Sequence, residues 1–152
     1  NVVIVETPDA ILVTSKENIN DVGKLVSKIR DSGRTEHSKH LKSHRPWGTY
    51  EILDEGKGFQ VKHLRINPGQ SISLQRHKHR AEHWVVVKGH ATVVVGNDSY
   101  ELVENQSTYV PKGVKHRLLN SGKELLEIVE VQSGELIDEE DIERFEDSYG
   151  RA

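Results

Sequence analysis

The chain contains no cysteine and no methionine, and its apolar runs are short. Without cysteine it can form no disulfide, no zinc site built on thiolates and no cysteine nucleophile. The valine run at residues 85–87 falls far short of the roughly 20 apolar residues that a membrane span requires, and no stretch has the pattern of a secretory signal. We therefore expect a cytoplasmic protein that does not bind a membrane. Because the chain begins with Asn1 and lacks methionine, we interpret it as part of a longer protein.

Charge of one sign is not in excess either. The 21 basic and 24 acidic residues give a net charge of −3 with neutral histidines. A balance this close to neutral argues against binding to nucleic acid. A chain of 152 residues has room for one ordinary domain and an appendage.

The first 40 residues predict a small β/α appendage. Apolar residues at 2–5 and 10–13 flank a turn around Pro8 and indicate two short strands. A helix is predicted over 18–31, where one face carries the apolar stripe of Val22, Leu25, Val26 and Ile29. The polar and basic stretch 34–45 is interpreted as a linker, and the second domain is expected to cover 41–152.

The sequence pattern of the second domain predicts β structure. Short β-rich runs alternate with turns of glycine, proline and asparagine, which is typical of an all-β sandwich or barrel. The runs are 48–54, 59–66, 70–76, 82–88, 90–95, 98–103, 107–110, 115–119 and 124–132. The acidic stretch 138–146 predicts a short C-terminal helix that packs Ile142 and Phe145 on the barrel.

Two histidine-containing segments indicate a metal site. Residues i and i+2 of a strand share a face, so Gln75, His77 and His79 are expected to point into the barrel together. Glu82 opens the next strand, and a Pro-x-Gly turn delivers His116 from a second segment. Imidazole and carboxylate ligands suit Zn²⁺, Mn²⁺, Fe²⁺, Co²⁺ or Ni²⁺, and four protein ligands or fewer leave positions for water or substrate.

These segments resemble the cupin pattern. In this family a His-x-His pair is followed by a glutamate, six residues and a glycine, as with Glu82 and Gly89 here. The second cupin motif, Pro-x-Gly-x-x-His-x-x-x-Asn, matches Pro111, Gly113, His116 and Asn120. The resemblance implies an all-β cupin fold, a double-stranded β-helix or jelly-roll barrel, between the β/α appendage and the C-terminal helix.

The fourth ligand has two candidates. Only two residues separate His79 from Glu82, fewer than is usual in cupins, so His83 is the alternative. Alternation with Trp84 and the spacing to Gly89 favour Glu82.

A narrower resemblance is to the type II phosphomannose isomerase domain. It is carried by Arg45-Pro46-Trp47-Gly48, Phe59-Gln60-Val61-Lys62, the segment from Gln75 to Trp84, Glu104-Asn105-Gln106-Ser107 and Glu130-Val131-Gln132-Ser133-Gly134. In that family the domain is the C-terminal half of a bifunctional protein, and the N-terminal half is a mannose-1-phosphate guanylyltransferase. Residues 1–40 resemble the end of that half and its linker. The resemblance implies interconversion of mannose 6-phosphate and fructose 6-phosphate, in a route that supplies GDP-mannose for polysaccharide synthesis.

The resemblance also implies roles for individual residues. The expected metal ligands are His77, His79, Glu82 and His116. Gln75 is expected to bind substrate or to serve as an additional ligand. Arg80 is expected to bind substrate and take part in catalysis, and Arg45, Lys62 and Arg117 are candidates for the phosphate, with Lys62 also a catalytic candidate. The general base stays open between Glu82, if it is not a ligand, His83 and a metal-bound hydroxide.

A metal-binding cupin is not always an enzyme, since one fold hosts many functions. The alternative is a non-catalytic module that binds a sugar phosphate or dimerises. No glycine-rich phosphate loop is present, so the guanylyltransferase activity is not expected in this chain. Such barrels often cover exposed strand edges with a second copy, and we therefore expect a homodimer.

Overall fold

The structure is a computed structural model that describes residues 1–7, 10–34 and 40–150. The turn predicted at Pro8 and residues 35–39 of the predicted linker lie outside the described residues. The chain divides into two compact units, residues 1–42 and 43–152.

The first unit is a hairpin followed by a helix. Strand β1 (Val2–Thr7) pairs antiparallel with β2 (Ala10–Ser15). A 3₁₀ turn (Lys16–Asp21) follows, and the Ser15 side chain caps it by accepting a hydrogen bond from the backbone of Asn18. Helix α1 (Val22–Asp31) therefore begins four residues later than the periodicity predicted, and it has no buried residue within its own unit.

The second unit is built from two antiparallel sheets. Its strands are β3 (Lys42–Arg45), β4 (Gly48–Gly56), β5 (Phe59–Ile66), β6 (Leu74–His77), β7 (Arg80–Lys88), β8 (His90–Val95), β9 (Asp98–Val103), β10 (Ser107–Val110), β11 (His116–Asn120), β12 (Leu126–Gly134) and β13 (Ile142–Glu146). The first sheet runs in the order β10-β7-β12-β5-β4-β3 and the second in the order β13-β6-β11-β8-β9. This arrangement confirms the prediction of an antiparallel all-β domain.

The core is supplied by alternate residues of the strands, because successive side chains of a strand point to opposite faces. In β7 the inward positions are Glu82, Trp84 and Val86, whereas His83 and Val87 are exposed. The apolar core consists of Trp47, Leu64, Ile66, Ile72, Trp84, Val86, Ala91, Val93, Leu102, Val110, Leu118, Leu126 and Ile128. The same alternation continues into polar residues at one end of the core, and these form the site described below.

The prediction of a C-terminal helix is wrong. The acidic stretch forms a short 3₁₀ turn (Glu139–Asp141) and then strand β13, which pairs with β6 so that Ile142 lies opposite His77 and Arg144 opposite Gln75. A short helix gains little stability by itself in water, whereas β6 offers an edge of unpaired backbone groups. The backbone bonds to β6 therefore outweigh the helical spacing of Ile142 and Phe145.

Asn120, the last residue of the second cupin motif, has a structural role. Its side chain is fully buried, donates to the backbone oxygens of Ile66 and Glu124, each at 2.8 Å, and accepts from the backbone of Gly122 at 2.9 Å. It thus joins the end of β11 to the end of β5 and closes the turn before β12.

We expect Asn120→Ala to lower the free energy of unfolding by about 2–4 kcal/mol, because two buried carbonyl oxygens lose their donors. Both tryptophans lie in this unit, so urea unfolding followed by tryptophan fluorescence reports on it alone. The control is Asn97→Ala, at an exposed turn position, which should change the value by less than about 0.5 kcal/mol. Equal stabilities for the two variants would refute this role.

Candidate metal centre

Three side chains distant in sequence converge in the second unit. His77 ends β6, Glu82 lies near the start of β7 and His116 begins β11. β11 pairs with β6 through His116 and Gln75, which brings the two histidine rings to a centroid distance of 4.8 Å. One potential ligand atom from each of the three residues lies within 4.8 Å of the others, and all three side chains are about 1% exposed. We call this set the donor group.

Backbone carbonyl groups fix the orientation of both histidine rings. Nδ1 of His116 lies 2.9 Å from the carbonyl oxygen of Val114, and Nδ1 of His77 lies 3.3 Å from that of Asp141. A carbonyl oxygen can only accept, so each Nδ1 carries a proton and each Nε2 is left to face the Glu82 carboxylate. In metal sites, histidine ligands are commonly oriented by a hydrogen bond from the ring nitrogen that does not face the metal.

The centre of the donor group requires a positive charge. Nε2 of His77 lies 3.0 Å from Oε1 of Glu82, and Nε2 of His116 lies 3.6 Å from Oε2. Both Nε2 of His116 and Oε2 of Glu82 are buried and have no hydrogen-bond partner. Lone pairs facing a carboxylate at these distances repel each other unless a proton or a cation lies between them. A divalent cation satisfies all of these atoms at once, so the residues present fit a metal ion.

The pKa values point the same way. Burial alone would raise the pKa of Glu82, but its contact with His77 and the charges of His77, His116 and Arg80 hold it well below the usual range. Burial lowers the pKa of His116 more than the charge of Glu82 raises it. The donor group therefore favours an ionised carboxylate and a neutral imidazole, which are the protonation states that a metal ligand must have.

Arg80 and Gln132 hold one oxygen of Glu82 and leave the other free. Oε1 accepts from Nε of Arg80 at 3.2 Å and from Nε2 of Gln132 at 3.1 Å. Arg80 is 2% exposed and also donates to the backbone oxygen of Asp138 at 2.7 Å. Gln132 lies directly opposite Glu82 on β12. These contacts aim Oε2 of Glu82 at His116.

His79 and His83 lie outside the donor group. β6 ends at His77, and His79 falls in the following bend, where it is half-buried and its backbone N–H donates to the Asp141 carboxylate at 3.2 Å. The predicted alternation over Gln75, His77 and His79 therefore stops at His77. His83 is exposed and packs edge-on against Tyr109.

A pocket adjoins the donor group. Gln75, Arg80 and Glu82 line it together with Arg45 and Lys62. Arg117, the remaining phosphate candidate, instead pairs with Glu146 at 2.9 Å and is not among the residues that line this pocket. Gln75 lies beside the donor group, with Nε2 3.5 Å from Nε2 of His77, while its Oε1 accepts from Ser73.

Glu130 also lines the pocket, and sequence reasoning missed it. Its side chain is 4% exposed and accepts from Nε1 of Trp84 at 3.0 Å and from Nε2 of Gln132 at 2.7 Å. Burial, and next the charge of Glu82, raise the pKa of Glu130 to about 7. The signal was present in the sequence. Glu130 and Gln132 continue the inward alternation of Leu126 and Ile128, where apolar residues are expected.

Two more missed residues, Glu139 and Arg144, reach the pocket from the C-terminal segment. Assigning that segment to an outer helix removed them from consideration.

Residues 32–147 match the family described as mannose-6-phosphate isomerase C-terminal. The chain belongs to this family. It is 54% identical over 151 residues to xanthan biosynthesis protein XanB of Xanthomonas campestris pv. campestris (strain B100), covering 99% of this chain and 32% of that protein. It is 46% identical over 151 residues to mannose-1-phosphate guanylyltransferase ManC of Salmonella typhimurium (strain LT2), with the same coverage of 99% and 32%. The mannose-6-phosphate isomerase C-terminal domain described here thus spans about a third of the length of these curated relatives.

Solved structures support the fold of this family member. A protein with a double-stranded β-helix domain from Klebsiella pneumoniae matches with a TM-score of 0.57 and 24% identity, over 64% of this chain and 83% of that one. A cupin-2 domain from Rhodospirillum rubrum matches with a TM-score of 0.53 and 22% identity, over 61% and 67%. These likenesses confirm the cupin fold. In the described part of the chain, no helix is long and apolar enough to cross a membrane.

We expect the chain to bind one divalent ion. Binding can be measured with Co²⁺ by calorimetry and by visible absorption. His116→Ala should weaken binding by more than about 10²-fold, because even changes behind the ligands cost about 10–100-fold. His90→Ala removes an exposed histidine and serves as the control. Equal affinity of both variants would exclude the donor group as the site.

The raised pKa of Glu130 predicts that the stability of the folded chain depends on pH. In the folded chain the Glu130 carboxyl keeps its proton up to about pH 7, whereas in the unfolded chain it ionises near its ordinary pKa. Between those two pH values, ionisation of Glu130 therefore favours the unfolded chain, and the free energy of unfolding falls as the pH rises. Glu130→Gln removes this contribution. With EDTA present, the stability of the variant relative to wild type should therefore increase from pH 5 to pH 8. A constant difference over this range would contradict the raised pKa.

Proposed function

We propose that this domain interconverts mannose 6-phosphate and fructose 6-phosphate with a divalent metal ion, in a route that supplies GDP-mannose. The observation that carries the proposal is one pocket that adjoins the donor group through Glu82 and is also lined by a second buried carboxyl and several cationic side chains. Membership in the mannose-6-phosphate isomerase C-terminal family supports this reaction over other chemistry that a cupin fold permits.

The reaction moves one proton from C2 to C1 of the open-chain sugar and another from O2 to O1. Removing the proton next to a carbonyl is the difficult step, so the site must stabilise negative charge and provide a base. When bound, a divalent cation would polarise the sugar carbonyl as a Lewis acid. His77, Glu82 and His116 would hold it, and His79 is a further candidate ligand from the adjoining bend.

We assign the general base to Glu130. A base works best when its pKa lies near the operating pH, and the pKa of Glu130 is raised to about 7. Glu130 lines the pocket next to Glu82 and Gln132, so its carboxylate can take the C2 proton and return it to C1. Glu82 is less suitable because its oxygens face the two histidines and Arg80.

The cationic residues would bind the other end of the substrate. Arg45 and Lys62 both line the pocket, and a clamp on the sugar phosphate would orient C1 and C2 toward the base. Arg80 donates hydrogen bonds to Glu82 and to the backbone of Asp138, and it also lines the pocket. We therefore propose that it positions the donor group and contacts the sugar.

The proposed partners follow from the relatives. The relatives are about three times as long as this chain, and one of them is named a mannose-1-phosphate guanylyltransferase. This supports an N-terminal domain of that kind in a full-length cytoplasmic protein. We also propose a homodimer. Val87, Tyr109 and Val131 are exposed on the neighbouring strands β7, β10 and β12, and a second copy would cover this apolar face.

The proposal predicts turnover of mannose 6-phosphate by this chain in a coupled assay with added Co²⁺, Mn²⁺ or Zn²⁺. Glu130→Gln should lower kcat by about 10²–10⁴-fold with little change in KM, because the substrate contacts are kept. Glu135→Gln, an exposed carboxylate just after β12, is the control. Absence of turnover with every metal would overturn the isomerase assignment and favour a sugar-phosphate-binding or dimerising module.

A further inference from the structure

Glu139 bridges two arginines in the pocket. Its Oε1 lies 3.7 Å from Nη2 of Arg45 and its Oε2 lies 3.7 Å from Nη2 of Arg144. All three side chains line the pocket, and each arginine faces a different carboxylate oxygen. Two guanidinium groups that converge on one anion are the arrangement that binds a phosphate group.

The arginines are held loosely by this carboxylate. At 3.7 Å the pairs are longer than hydrogen bonds, and the Glu139 side chain is 50% exposed, so water screens each pair and each is weak. Nε of Arg144 is buried and has no hydrogen-bond partner. A phosphate dianion has more charge and more acceptor oxygens than a carboxylate, and it would make shorter, charge-assisted bonds to the same groups.

A third cation faces the same space. Tyr50 separates Arg45 from Lys62, since the Arg45 guanidinium lies 5.2 Å and the Lys62 ammonium 5.0 Å from the centre of its ring. The Tyr50 hydroxyl also accepts from Nη2 of Arg45 at 3.3 Å. Tyr50 thus holds two cations on one wall of the pocket, while β13 supplies Arg144.

The backbone around Glu139 is anchored, so only its side chain is free to move aside. On one side, the backbone oxygen of Asp138 accepts from Arg80. On the other side, the Asp141 carboxylate accepts from the backbone of Lys78 and His79, and the Asp141 carbonyl oxygen accepts from His77. Replacing the Glu139 carboxylate with another anion therefore requires a side-chain rotation and no change in the fold.

We propose that Arg45, Lys62 and Arg144 form a binding subsite for a phosphate monoester and that Glu139 is a built-in competitor that occupies it when no anion is bound. The identity of the occupant as a sugar phosphate rests on the proposed function.

Calorimetry with mannose 6-phosphate and with mannose, at constant ionic strength and with EDTA present to prevent metal-dependent turnover, tests the subsite by binding alone. Wild type should bind the phosphate ester and not the neutral sugar. Arg144→Gln should weaken binding of the ester at least about 10-fold, and Arg45→Gln provides a second variant from a different strand. Glu139→Gln should tighten it about 3–10-fold because the competitor is gone.

Glu140→Gln is the matched control, since it removes the same charge from an exposed neighbouring residue. It should change the dissociation constant less than 2-fold. Equal tightening by Glu139→Gln and Glu140→Gln would refute the competitor, and wild-type affinity in both arginine variants, or no binding of the ester at all, would refute the subsite. A chain that binds as described without turnover rejects the isomerase assignment alone. Turnover with a KM that these substitutions leave unchanged rejects the subsite alone.

Discussion

The burial of the Glu82 carboxylate is the constraint on which the rest of the site depends. A buried charge must be paired and hydrogen-bonded or it neutralises. Here Arg80 and Gln132 satisfy one oxygen, and the two histidine nitrogens face both. Each histidine donates from Nδ1 to a backbone carbonyl, and Nε2 of His116 and Oε2 of Glu82 have no hydrogen-bond partner, so a bound cation would satisfy the remaining lone pairs. Stability and the proposed metal binding therefore use the same few atoms.

Two carboxyl groups share this environment and differ in protonation. Glu82 is surrounded by positive charge and stays ionised, whereas the pKa of Glu130 is raised to about 7 by burial and by the charge of Glu82. Gln132 donates to both of them and keeps them at neighbouring positions. Two acids whose pKa values are pushed apart in one pocket can perform two tasks, one in holding charge and the other in moving a proton.

The C-terminal segment joins the fold to the site. β13 covers the edge of β6, and the turn before it contacts Arg80, His77 and the bend after β6 through Asp138 and Asp141. The same turn carries Glu139 into the pocket between Arg45 and Arg144. A segment that reads as a solvated acidic stretch thus orients the His77 ring, anchors the buried Arg80 and adds a negative charge to the pocket through Glu139.

The sequence by itself determined most strands and turns of the second unit and the candidates for the donor group. Period-two alternation, glycine and proline turns and the spacing of the histidine motifs are local patterns, so His77, Glu82 and His116 could be selected, together with His79, before any fold was known. The tertiary structure decided what depends on pairing between distant strands. It ended β6 at His77 and left His79 in a bend, and it converted a predicted helix into β13, because the free edge of β6 offered backbone bonds that a short helix lacks. It also brought Glu130, Glu139 and Arg144 into one pocket, which no local pattern specifies, since their roles arise from neighbours that are far away in the chain.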